Sequence, residues 1–141
     1  MDLQAWMDRG RAMDCTDLHL TVGLPVVARM LGELTIIGDE PLTKEDIHSM
    51  LATVMNRTQQ EEYQKGDLDF GFQDVHGYSV RVNAYYQKGN PCAALRLLRN
   101  TIPSFDDLMI PEAVRKLSTL PRGLVLVTGP TGSGKSTIAK L

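Results

Sequence analysis

Apolar and polar residues alternate through much of the first hundred positions, and where the alternation stops a helical spacing takes over. Leu3, Trp6, Met7 and Met13 fall near a period of 3.6, which predicts a short amphipathic helix over residues 3–13 with its Met and Trp stripe as a packing face. Leu18, Leu20 and Val22 alternate with His19 and Thr21 and predict a strand. Gly23 and Pro25 interrupt it, and residues 25–31 and 34–37 predict two more short strands around Gly32. Ile47, Met50, Leu51 and Val54 mark a helix that Thr43 can cap, with Asp46 in the reciprocal position. Thr58 and Glu61 fit the same capping pattern for a second helix, ending near Gly66. Leu68, Phe70 and Phe72, then Tyr78, Val80, Val82 and Ala84, are the arms of a hairpin turning at His76-Gly77, and residues 93–98 are a further strand. The fold class is α/β: an α+β domain with an antiparallel sheet comes first.

The pattern changes after Asn100. Pro103 and Pro111 punctuate a linker-like stretch, with Pro111 placed to open a helix that runs to Leu117. Pro121 and Gly123 break the chain again. Residues 124–128, LVLVT, are apolar without alternation, as in a strand buried within a parallel sheet. The expected organisation is therefore residues 1–100 as the first domain, 101–120 as a linker with a short helix, and 121–141 as the first βα unit of a second domain.

That apolar run leads directly into GPTGSGKST at 129–137. Gly129, Gly134, Lys135 and Ser136 satisfy the phosphate-loop pattern, with Pro130, Thr131, Gly132, Ser133 and Thr137 completing the cradle. Glycines let backbone N–H groups turn toward phosphate oxygens, and the start of the following helix offers them more donors. Lys135 is placed to reach the β- and γ-phosphates, and Ser136 to ligate Mg²⁺. ATP and Mg²⁺ are thus the expected cofactors. Hydrolysis needs more: an acid that holds the metal and a group that orients the attacking water. No acidic residue follows Lys135, so these residues by themselves are not expected to be catalytically competent. Asp67, Asp69 and Asp74 precede the loop and read as a solvated hairpin edge and turn.

Composition narrows the partners. With 43% hydrophobic and 23% charged residues the chain is neither disordered nor fibrous. The net charge is −2 and Arg9, Arg11, Lys88, Arg96, Arg99, Arg115 and Lys116 are dispersed, which argues against nucleic acid as a ligand. Cys15 and Cys92 read as free thiols in a reducing compartment. The N-terminus lacks the apolar core of a signal peptide, and no apolar run approaches the about 18 residues of a membrane span. The expectation is a cytoplasmic protein without membrane insertion. The three histidines have no zinc spacing: His19 is expected to be hydrogen-bonded within its strand, His48 exposed on a helix and His76 in a turn.

Several segments in order resemble one family. TDLHLTVGLP at 16–25 with Arg29 and Gly32, YSVRVNAYYQ at 78–87, ALRLL at 94–98, IPSFDDL at 102–108 and PRGLVLVTGPTGSGKST at 121–137 are similar to type IV pilus retraction ATPases of the PilT kind, within the wider group of secretion-type ATPases. The resemblance implies a PAS-like N-terminal domain followed by a RecA-like P-loop domain, assembly as a homo-hexamer, and work on the type IV pilus machinery at the inner face of the cytoplasmic membrane, driving twitching motility. It also implies that Arg81 and Arg96 are phosphate-sensing arginines, whereas the residues alone favour surface arginines on strands, paired with nearby acids. The family's Walker B region and catalytic glutamate have no counterpart in these 141 residues. Two other readings stay open: a non-catalytic regulatory subunit of such a ring, and a pilus-assembly or type II secretion ATPase. The early position of TDLHL favours the retraction branch.

Overall fold

The computed structural model describes residues 2–99 and 101–141. Two units are present, residues 1–99 and residues 100–141. The boundary residue expected from sequence, Asn100, lies outside the described residues.

In the first unit the chain runs α1 (Leu3–Ala12), β1 (Asp17–Thr21), β2 (Val27–Met30), β3 (Glu33–Ile36), α2 (Lys44–Ala52), α3 (Arg57–Lys65), β4 (Leu68–Gln73), β5 (Ser79–Gln87) and β6 (Asn90–Leu97). The six strands form one sheet in the order β3-β2-β1-β6-β5-β4. It is two antiparallel meanders joined edge to edge where β1 pairs β6, Asp17 opposite Arg96 and Thr21 opposite Cys92.

Period-two alternation gives this sheet one dry face and one open face. Leu18, Leu20, Val80, Val82, Ala84 and Leu95 are buried on the dry face. They form one core with Leu3 and Met7 of α1, Ile47 and Leu51 of α2, and Tyr63 of α3. Each large aliphatic side chain so buried is worth about 1.5–3 kcal/mol. Gly10 allows the close seat of α1: a Cβ there would lie 3.0 Å from Leu97 Cδ1 and 3.1 Å from Leu18 Cδ2.

The caps follow the sequence in one helix and depart from it in another. Thr43 Oγ1 accepts from Asp46 N at 3.1 Å while Thr43 N donates to the Asp46 carboxylate at 2.8 Å. The expected Thr58–Glu61 box does not form. Asn56 caps α3 instead, its Oδ1 accepting from Gln59 N at 2.8 Å and its N donating to Gln59 Oε1 at 3.0 Å. Asparagine is the stronger cap, so the helix starts earlier and Thr58 falls inside the first turn. Glu61 is then free to pair with Arg57 one turn away, at 3.2 Å.

The second unit contains α4 (Glu112–Leu117) and α5 (Lys135–Ala139). Pro111 stands at the N-cap, one position ahead of the first helical residue. Ser104 and Asp107 exchange reciprocal backbone–side-chain bonds of 3.0 and 3.1 Å. Residues 124–128 differ from expectation: they belong to no ladder, and Leu124 and Leu126 are 83% and 75% exposed. A strand exists only through a neighbour that takes its N–H and C=O groups, and none of the described residues offers one.

Candidate functional site

The glycine-rich loop is tightly closed. Ser133 N and Oγ both donate to the Pro130 carbonyl, at 3.2 and 2.7 Å, forming a turn. Gly134 has φ +95° in the left-handed region, where an L side chain is strained, and the chain enters α5 immediately after it. A Cβ on Gly129 would come 2.6 Å from Ser133 Oγ. Lys135 folds back across the loop, and its Nζ donates to the Gly129 carbonyl at 3.1 Å. The first and seventh residues of the motif are thus tied together, with an ammonium held at the loop mouth. Ser136 and Thr137 are exposed at the start of α5. A small glycine-rich loop whose first position is crowded by the Ser133 hydroxyl, with the Lys135 ammonium folded across it and hydroxyls beside it, fits a phosphate group and its Mg²⁺.

Arg81 and Arg96 belong to the first unit, on the open face of its sheet. The register sets Gly71 opposite Arg81, Arg81 opposite Arg96, Arg96 opposite Asp17, and Asp17 opposite Arg29. Directly paired residues have Cβ atoms about 5 Å apart, and like charges in that relation repel. Asp17 relieves one side, with its Oδ1 3.2 Å from Arg96 Nε. Arg81 is exposed, faces a glycine, and has no carboxylate partner among the described residues. The row therefore carries excess positive charge suited to an anion, and guanidinium forks match phosphate oxygens. On the same face Asn83 donates to Asp69 Oδ1 at 2.7 Å.

His19 departs from expectation. Its Nε2 is buried with no hydrogen-bond partner among the described residues. Its cross-strand neighbours, Val27 and Ala94, bring no side-chain acceptor. His48 is half-buried rather than exposed, its ring 6.2 Å from Tyr63 and 6.3 Å from Tyr86. His76 is an exposed turn residue, with Nε2 3.4 Å from Asp8. Asp74 also corrects its reading: it is buried, not solvated, and its Oδ1 accepts from His76 N and Tyr78 N at 2.9 Å each. Cys15 and Cys92 are free and buried, and burial raises both thiols above their ordinary pKa, which keeps them unreactive. Burial, reinforced by the Tyr86 phenol, pushes the Tyr63 hydroxyl well above its usual range. No helix among the described residues is long and apolar enough to cross a membrane.

The glycine-rich loop belongs to the second unit and the arginine row to the first, and comparison with known proteins names the family. The chain belongs to the type II/IV secretion system protein family, whose model matches residues 46–140. Among curated relatives it is 35% identical, over 97% of its length, to the type IV pilus retraction ATPase PilT of Pseudomonas aeruginosa. It is 38% identical over 110 residues to a twitching motility protein of Neisseria gonorrhoeae. It spans only 40% of the first relative and 29% of the second. A solved structure of the pilus retraction motor PilT with bound ADP superposes at a TM-score of 0.80, with 36% identity, covering 99% of this chain and 41% of that one. The ATPase DotB of Legionella pneumophila follows at 0.76 and 25%, covering 96% and 40%.

Proposed function

We propose that this chain is part of an ATP-driven motor subunit that powers type IV pilus retraction and twitching motility. The observation that carries the reading is the closed loop of Gly129 to Thr137, with Lys135 tied across it, in a chain related over nearly its whole length to a protein named as a retraction ATPase. Gly129, Pro130, Thr131, Gly132, Ser133 and Gly134 would wrap the phosphates. Lys135 would exchange its bond to the Gly129 carbonyl for phosphate oxygens, and the Ser136 hydroxyl would ligate Mg²⁺. ATP, when bound, supplies the phosphoryl transfer that drives the motor.

Arg81 and Arg96 take the role of phosphate-sensing arginines, offered from the open sheet face of one subunit to a nucleotide held by its neighbour in a homo-hexamer. The PAS-like character of the first unit, the RecA-like character of the second, and a cytoplasmic position against the pilus machinery belong to the same proposal.

Calorimetric titration of the chain with ATP and Mg²⁺, beside Lys135→Ala, tests the loop. The expected result is binding heat that disappears in the variant. Equal heats in both, or none in either, would overturn the assignment.

A further inference from the structure

We propose that the groove between α1 and α2 is a docking site for a cationic amphipathic segment of a partner protein. The groove encloses about 720 Å³. Its apolar lining comes from Leu3, Trp6, Leu42 and Met50. Its carboxylates are Asp2, Asp39, Glu40 and Asp46, against the single cation Arg9. Beyond Asp2, Leu3 and Thr53 a second hollow of about 360 Å³ continues past Met7 and Val54 to the exposed Val75. Leu3, Met7 and Met50 form the closed floor, and the half-buried Trp6, Leu42 and Val54 are the apolar surface left beside the acids, an arrangement that suits a short amphipathic segment.

Two of the four acids are fixed by the fold. Asp2 Oδ1 accepts from Ala5 N at 2.8 Å, and the Asp46 carboxylate is held by Thr43, which keeps it ionised. The other two, Asp39 and Glu40, are exposed and have no hydrogen-bond or ion-pair partner among the described residues. They are the charges left over for a partner. The groove also shows how it takes a cation: the Arg9 guanidinium sits over the Trp6 ring, 5.6 Å from its centroid. A segment with lysines or arginines on one face and leucine-like residues on the other would meet the carboxylates and the apolar lining together. Such charge matching governs encounter and specificity more than raw affinity, so binding would weaken as salt rises.

The chain has one tryptophan, so fluorescence reads this groove directly. The full chain is titrated with a synthetic amphipathic leucine–lysine helix, with its leucine–glutamate counterpart, and with polylysine. The expected result is a saturable shift of Trp6 emission with the first peptide alone. Affinity should drop about tenfold in Asp39→Asn/Glu40→Gln, and comparably when Ser49→Lys adds a positive charge to the lining. These three residues are exposed, so melting temperature should stay level and confirm folded variants. Lys135→Ala should bind the peptide as the parent does, which separates this test from that of the nucleotide loop. Equal binding of acidic and basic peptides, or affinity unchanged by the neutralised carboxylates, would overturn the proposal. So would a Trp6 shift that follows protein concentration without peptide, since a second copy would then be the occupant.

Discussion

The Arg11 guanidinium and the Asp74 carboxylate face each other at 3.6 Å (Nε to Oδ2), the arginine side chain 17% exposed and the aspartate fully buried. Arg11 also donates from Nη1 to the Leu98 carbonyl at 2.8 Å and lies over the Tyr78 ring at 4.6 Å. One side chain of α1 thus joins the β4–β5 turn to the exit of β6.

Removing Arg11 strands a buried carboxylate. Arg11→Ala should destabilise the chain by about 3–5 kcal/mol in urea unfolding. Asp74→Asn keeps an acceptor for His76 N and Tyr78 N and should cost less. The double variant should recover part of the Arg11→Ala loss, and strict additivity of the two single losses would show that the pair is not coupled.

The start of α3 separates two candidate caps. Asn56→Ala should lower stability by about 1 kcal/mol, while Thr58→Ala should change it by less than about 0.5 kcal/mol. Thermal melts of both variants decide it. A larger loss from Thr58→Ala would put the cap where the sequence pattern alone first suggested.

Acid titration should register the box at α2. Hydrogen bonds from Thr43 hold the Asp46 carboxyl below its ordinary pKa of 3.8. A depressed folded pKa gives stability that is present above the unfolded value and lost as pH falls through the folded one. Asp46→Asn should therefore lessen the slope of melting temperature against pH below about 4, leaving the neutral range flat. An unaltered acid slope would rule out this linkage.

Tyr63 acts at the other end of the scale. Its raised pKa means that the folded protein holds the phenolic proton after the unfolded chain has released it. Its contribution to stability is complete below about pH 10, the unfolded value, and declines as pH rises beyond that. Tyr63→Phe should flatten this alkaline decline, followed by chemical denaturation. Because the hydroxyl is buried without a partner among the described residues, the variant should lose little or nothing at neutral pH.

Short-range signals made most of the first unit legible. Alternation around Leu18, Phe70 and Val82 marked strands, and Thr43 with Asp46 marked a helix start, because each is decided within a few residues. The loop motif was legible for the same reason. Failures came where the outcome is set by competition or by distant partners. Asn56 and Thr58 both carry capping patterns, and only their relative strength chooses between them. The placement of Arg81 beside Arg96 depends on the β5–β6 register, which alternation does not specify. Asp74 looked like any turn acid because Arg11, its partner, lies 63 positions earlier. The groove was hidden too, since Trp6, Asp39 and Met50 come from three separate segments.

The seam between the two meanders has a consequence for how the molecule comes into being. Its pairing brings Asp17 to Arg96, 79 residues apart, so the central strands of the sheet are the first and the last to leave the ribosome. The earlier meander, β1 to β3, must wait with its inner edge unpaired until β6 arrives. Closing that span carries a loop-closure entropy cost before any central contact forms, so the seam raises the contact order of the first unit, a topology that slows folding. During synthesis the nascent first unit therefore exposes a bare strand edge, the state in which it has most need of a chaperone.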